Sequence, residues 1–102
     1  SLTKDDIFSV VRANASSFST CVRNARDRNE LESGRVTFIL DWVVLSNGRV
    51  DTPRLTGIRE SNVDLESTSL PRCFSSAMKE WKFPRTQKDS PIKNFPLPVR
   101  IP

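Results

Sequence analysis

Two cysteines and the absence of histidine constrain this 102-residue chain more than any other feature of its sequence. Cys21 and Cys73 lie on the apolar stripes of two predicted helices, and a predicted β-hairpin separates them. A thiol without an imidazole lacks its usual general base, and two cysteines supply only half of a typical zinc site. We therefore predict a disulfide that joins the helices; the alternative is two buried, reduced cysteines in a cytosolic protein.

Composition supports the prediction of a covalent link. Only 36% of the residues are hydrophobic, which leaves a modest core for a single domain of this length. A bridge between Cys21 and Cys73 would close a loop of about 50 residues and contribute about 4 kcal/mol by the chain-entropy estimate. Such a bridge implies an oxidising compartment, either a periplasm or an extracellular space.

The first helix is predicted to begin at Thr3, whose hydroxyl can cap a first turn that carries Asp5 and Asp6. The polar run over residues 26–30 is predicted to be its solvated end and a loop. Between these limits, apolar residues recur at helical spacing and form one face of the helix. They are Ile7, Val10, Val11, Phe18, Cys21, Val22 and Ala25.

The clearest strand in the sequence follows Gly34. Ile39 and Val43 lie on the face of this strand that we expect to be open. The opposite, core-facing set alternates with period two, as in a strand with one buried face, and comprises Val36, Phe38, Leu40, Trp42 and Val44.

A hairpin turn is predicted at residues 46–48, Ser-Asn-Gly, because asparagine and glycine tolerate positive φ. A second strand is predicted over residues 49–58. Pro53 lies inside this strand and cannot donate a ladder hydrogen bond, so it predicts either a bulge or an edge.

A second amphipathic helix is predicted to begin between Glu66 and Ser69, with Pro71 tolerated in its first turn. Pro84 is expected to end this helix just after Phe83. Its apolar stripe steps at helical intervals through Leu70, Cys73, Phe74, Ala77, Met78 and Trp81.

The last predicted strand, residues 95–101, has prolines at alternate positions, so they all project the same way. The nitrogens of Pro96, Pro98 and Pro102 would face the same lateral edge, leaving only Arg100 to supply an N–H there. One interpretation is protection of an edge strand from aggregation. Its functional corollary is that a partner cannot easily add a full strand at that edge.

These elements predict an α+β fold in the order helix, strand, strand, helix, strand. We expect a three-stranded antiparallel sheet with two helices packed on one face. Antiparallel helices laid side by side on that face would bring Cys21 and Cys73 together.

No catalytic constellation, metal site or cofactor motif is found in the sequence, so we predict no enzyme and no cofactor. Asp41 is the only acid in an otherwise apolar strand, and we interpret it as a solvent-facing or edge-protecting charge. The net charge of +4 indicates a mild attraction to anionic partners. Arginines cluster near the end of the first helix, at Arg23, Arg26, Arg28 and Arg35.

The ordered set of motifs resembles the C-terminal domain of TonB-like energy transducers, and in particular the AgmX/PglI-type gliding-motility branch. The resemblance extends from about Ile7 to Ile101. Its pieces are Ser19-Thr-Cys21, Gly34-x-Val-x-Phe-x-Leu-x-Trp, Asn47-Gly48-x-Val50, Cys73-Phe-Ser-Ser-Ala-Met and Trp81-x-Phe83-Pro84, followed by a proline-containing strand.

The resemblance implies that residues 1–102 are a single periplasmic domain, excised from a longer protein anchored in the inner membrane. It also supports the Cys21–Cys73 bridge. The implied function is non-enzymatic: the domain would bind outer-membrane or periplasmic proteins and transmit force from an inner-membrane motor in gliding motility. One alternative is a TonB domain of nutrient uptake that docks transporter peptides. Another is a binder of anionic polymer, either nucleic acid or cell-wall glycan.

TonB domains of nutrient uptake bind a peptide by adding it as a strand to the sheet. Pro96 and Pro98 oppose that mode if the last strand is the exposed edge. The open sheet face, or the edge of the second strand, would then be the contact. We expect no nucleic-acid partner and no membrane insertion of the domain. The candidate partner-binding residues are Ile39, Val43, Phe95, Leu97 and Arg100.

Overall fold

A three-stranded antiparallel sheet in the order β2-β1-β3 organises the molecule, seen in a computed structural model that describes all 102 residues. Helices pack on one face of this sheet, which confirms the predicted α+β class. In chain order the elements are α1 (Lys4–Ala13), α2 (Ala15–Asp27), β1 (Gly34–Val44), β2 (Val50–Arg59), a 3-10 turn (Leu65–Ser67), α3 (Leu70–Met78) and β3 (Ser90–Ile101).

The first predicted helix is two helices, because Asn14 interrupts it. Asn14 has φ −111° and ψ 14°, and its side-chain amide donates to the carbonyl of Val10 at 2.8 Å. Asparagine and serine compete with helical backbone hydrogen bonds through such local contacts. The predicted start is correct: Asp6 N–H donates to Thr3 Oγ1 at 3.1 Å, and Thr3 N–H donates to the Asp6 carboxylate at 3.0 Å.

The hairpin turn is confirmed, and it has a tertiary role that the sequence did not indicate. Gly48 has φ +86°, and a Cβ there would collide with the carbonyl of Phe83. The N–H of Phe83 donates to the Gly48 carbonyl at 2.9 Å. The turn therefore docks against the segment that follows α3.

This docking accounts for the early end of α3. The prediction that the helix runs to Phe83 is wrong, since it ends at Met78. The Trp81 N–H still bonds the Met78 carbonyl at 3.1 Å, but Phe83 pairs with Gly48 of the hairpin turn instead of continuing the helix. Pro71 lies in the first turn of α3, as expected.

Both outer strands carry irregularities in their pairing with β1. Between β1 and β2 the register shifts twice, and the second shift spans the bulge that Pro53 predicted. Between β1 and β3 it shifts once, where Asn94 adopts φ 54°. Such bulges increase the local twist and leave residues unpaired. β3 also begins earlier than predicted, at Ser90 instead of Phe95.

The core lies between the sheet and the helices, and aromatic rings fill much of it. Phe74 of α3 packs with Phe18 and with Phe38, each at a centroid distance of 4.8 Å. Trp42 meets Trp81 edge-on at 5.0 Å. Aromatic pairs in these geometries add to the hydrophobic gain of burial.

The predicted disulfide is present above this core. Cys21 of α2 and Cys73 of α3 are bonded, with their Cα atoms 5.8 Å apart and 52 positions apart in the sequence. Cys21 is buried and Cys73 is half-buried. The bridge joins the two helices over the sheet, in the arrangement inferred from the apolar stripes.

Candidate interaction surface

The sheet has one face that no helix covers, and we call it the open face. It consists of the odd-numbered β1 residues 35–43 and the residues directly opposite them on β2 and β3. Opposite residues in an antiparallel pair project to the same side. The β1 members are Arg35, Thr37, Ile39, Asp41 and Val43.

The structure separates the five predicted partner-binding residues into two groups. Ile39, Val43 and Arg100 lie on the open face. Phe95 and Leu97 pair with Leu40 and Phe38, so they belong to the helix-covered side. A single flat partner surface on the sheet therefore cannot meet all five.

The apolar residues of the open face offer little area for contact. Ile39 is only 8% exposed, and Val43 is half-buried. Gly57 lies directly opposite Ile39, and a Cβ on this glycine would meet the Ile39 side chain at 3.8 Å. Arg100, by contrast, is exposed.

The outer edge of β3 has few donors. Pro96 lies opposite Ile39 and Pro98 lies opposite Thr37. Because donors alternate between the two sides of a strand in an antiparallel ladder, the prolines remove outward N–H groups from this edge. The carbonyl groups of a strand added there would therefore find few N–H partners on β3.

The outer edge of β2 is interrupted in a different way. Its two register shifts break the regular spacing of backbone groups. The hydroxyl of Ser75 on α3 also donates to the carbonyl of Pro53 at 2.9 Å. Neither edge of the sheet therefore presents an uninterrupted ladder to a partner strand.

Asp41, on the open face, forms a hydrogen bond with the backbone at the bulge in β3. Its carboxylate accepts a hydrogen bond from the Asn94 N–H at 2.8 Å and lies 3.7 Å from the Lys93 ammonium. This is the one ion pair in the chain. Because β1 is the central strand of the sheet, the interpretation of Asp41 as an edge-protecting charge is wrong. Its carboxylate lies on the open face and accepts the backbone hydrogen bond of a residue at the bulge in β3.

Three arginines gather at the end of the open face where β1 begins. Arg35 lies directly opposite Arg100, and Arg59 lies opposite Thr37. All three side chains are exposed. The sequence analysis grouped Arg35 with the arginines near the end of the first helix and missed this cluster. The available signal was the alternation of side chains along each strand. It places Arg35 on the same face as Thr37, and Arg100 on the same face as Pro96 and Pro98.

Two carboxyl groups with perturbed pKa values lie on the helix-covered side of the molecule. Glu30 accepts hydrogen bonds from the hydroxyl of Ser69 at 2.7 Å and from its N–H at 3.0 Å. These bonds favour the charged carboxylate and lower the pKa of Glu30. Hydrogen bonds from Thr3, the backbone bond first, lower the pKa of Asp6 in the same way.

No helix combines the length and the apolar character required to cross a membrane. No group of three His, Cys, Asp or Glu side chains is arranged to hold a metal ion. Comparison with known proteins found no matching family model, no matching curated protein and no matching solved structure.

Proposed function

We propose that this chain is a periplasmic protein-binding domain of a TonB-like trans-envelope complex, and that it transmits force from an inner-membrane motor in gliding motility. The observation that carries the proposal is the Cys21–Cys73 disulfide, which joins α2 to α3. Structural disulfides persist in oxidising compartments. The order of helices and strands, and the motifs quoted above, support the same family.

The disulfide suits a domain that bears load. The bridge encloses the chain between positions 21 and 73, which contains β1 and β2. If both termini are pulled, the enclosed segment cannot extend while the bridge is intact. Its 52-position separation corresponds to about 180 Å of extended chain. The bridge therefore limits how far the domain can unravel between motor and partner.

The edges of the sheet favour binding through a face. Proline at positions 96 and 98 removes donors from the edge of β3, and bulges break the edge of β2. Strand addition needs a row of free backbone donors and acceptors. We therefore place the partner on the open face, in contrast to the peptide docking of nutrient-uptake domains.

Site-specific crosslinking in the native cell tests this proposal. A photoreactive residue at Thr37 of the full-length protein, on the open face near the start of β1, should capture proteins of the cell envelope. The matched control is the same residue at Ser76, which is exposed on α3. Capture of cytoplasmic proteins only, or equal capture at both positions, would refute the proposal.

A deletion separates motility from nutrient uptake. Removal of residues 1–102 from the full-length protein should abolish gliding and leave receptor-dependent uptake intact. Loss of uptake with normal gliding would instead support the alternative transducer function. In that case, added transporter peptide should protect the amide protons of an edge strand from exchange.

A further inference from the structure

The three arginines at the end of the open face form a compact cationic group, which we call the arginine triad: Arg35, Arg59 and Arg100. Arg35 and Arg100 are direct cross-strand neighbours, and Arg59 lies one strand away, opposite Thr37. Standard strand spacings place the three Cα atoms within about 12 Å of one another. Arg35, Thr37, Pro98 and Arg100 line one shallow depression on this surface.

The chain places no carboxylate in ion-pair contact with this cluster. None of the three guanidinium groups lies within ion-pair distance of a carboxylate, since the one ion pair is Lys93–Asp41. Glu60 borders the same depression without forming an ion pair. Like charges placed directly opposite each other destabilise an antiparallel pair. An anionic ligand would relieve this repulsion between Arg35 and Arg100.

The charges along the rest of the open face restrict the size of that ligand. Midway along the face, Asp41 faces Arg54 and pairs with Lys93, and Asp51 lies opposite Val43 at the far end. A long, uniformly anionic polymer that followed the strands would meet these carboxylates. The triad itself spans about four extended residues, so a short anionic segment fits it better.

The chemistry of the surface favours carboxylates on a protein over nucleic acid. Binding of single strands usually relies on exposed aromatic rings that stack on bases. The one large exposed hydrophobic residue is Phe8, 42% exposed, and it packs on Phe95 of the helix-covered side. The open face presents prolines and arginines. Guanidinium groups bind carboxylates and phosphates alike in a bidentate manner, so the lack of exposed stacking rings is what disfavours a single-stranded nucleic acid.

We propose that the arginine triad binds a short acidic segment of a partner protein, with its carboxylates against Arg35, Arg59 and Arg100. This inference rests on the proposed function as a protein-binding domain, and it names the chemistry of the partner. The segment would lie on the sheet surface at the start of β1. It would use side-chain contacts and would not extend the sheet as an added strand.

A peptide titration tests the triad. The probe is a short fluorescent peptide that alternates glutamate and threonine, and its glutamine counterpart is the uncharged control. Fluorescence anisotropy should show binding of the glutamate peptide that weakens as salt is added. Replacing the triad with serine (R35S, R59S and R100S together) should weaken binding about tenfold or more.

A second triple variant controls for net charge. Arg23, Arg72 and Arg85 are exposed and lie outside the sheet, so R23S, R72S and R85S remove the same charge elsewhere. Binding by this variant should change less than about twofold. Equal weakening in both variants, or no binding of the glutamate peptide to the native chain, would overturn the inference.

Two further probes distinguish other anionic partners. Single-stranded DNA and vesicles containing anionic phospholipid should bind more weakly than the glutamate peptide. Tighter, triad-dependent binding of either one would overturn the assignment of an acidic protein segment. If Thr37 captures an envelope protein but the peptide result fails, the inference falls and the proposed function stands. If the peptide binds through the triad but Thr37 captures no envelope protein, the proposed function falls and the binding of an acidic segment by the triad stands.

Discussion

The two faces of the sheet are built from the same three strands but differ in chemistry. The helix-covered face presents Phe38, Leu40 and Trp42, which are at most 1% exposed. The open face presents arginine, proline and threonine, and even Ile39 contributes little exposed area. Burial of apolar side chains dominates folding stability. The covered face therefore holds the fold together, and the open face is free to carry charged side chains.

The largest expected effect comes from the disulfide on the covered side. Reduction should lower the free energy of unfolding by about 4 kcal/mol, because the unfolded chain regains the freedom of the enclosed loop. Urea unfolding with and without reductant measures this change. A double variant with Cys21→Ser and Cys73→Ser is the control, since its stability should not respond to reductant. An unchanged unfolding midpoint in the native chain would contradict the prediction.

The next largest effect comes from truncating a side chain on each face of β1 and comparing the two losses of stability. Leu40→Ala removes a fully buried side chain and should cost about 3 kcal/mol, from lost burial and the cavity left behind. Val43→Ala on the open face should cost about 1 kcal/mol or less, because Val43 is half-buried. Denaturant unfolding of both variants gives the comparison. Equal losses would mean that the open face also carries core packing.

A smaller effect should come from Asp41, the residue through which the open face does support the fold. Asp41→Ala removes the acceptor for the Asn94 N–H and should cost about 1 to 2 kcal/mol. Amide exchange at Asn94 should accelerate, while Asp41→Asn should keep part of the protection. Asp51→Ala is the control, since Asp51 is exposed on the same face. Slow exchange at Asn94 in Asp41→Ala would exclude this role.

The smallest effect is a pH dependence that arises on the covered side. The pKa of Glu30 is lowered by its hydrogen bonds to Ser69, so the folded state favours the charged form. Its contribution is present above the ordinary glutamate pKa of about 4.3 and is lost as the pH falls through the lower, folded-state pKa. Solvent screening keeps the effect below about 1 kcal/mol.

Unfolding at neutral and acidic pH, with Glu30→Gln beside the native chain, measures this contribution. The native chain should lose more stability on acidification than the variant does. Asp6 contributes in the same direction, since its pKa is also lowered, and it is unchanged in both proteins. Identical pH profiles would show that Glu30 does not stabilise the folded state through Ser69.

Local patterns were enough to predict much of the architecture. The alternation after Gly34 predicted β1, Thr3 predicted the first helix start, and Pro53 predicted a bulge. Each signal acts within a few residues, so the sequence displays it directly. The sequence did not show that the candidate partner-binding residues divide between two faces, with Phe95 and Leu97 on the covered side. Their assignment depends on strand register, which is set by pairing across the chain.

The sequence by itself determined which residues repeat with helical or strand period, and hence the class of fold and the placement of the two cysteines on the apolar stripes of two helices. Tertiary structure decided where α3 ends, since Phe83 bonds to Gly48 across the molecule. It also decided that Arg35, Arg59 and Arg100 meet at one end of the open face. Periodicity depends on neighbours along the chain, whereas these contacts join residues that only folding brings together.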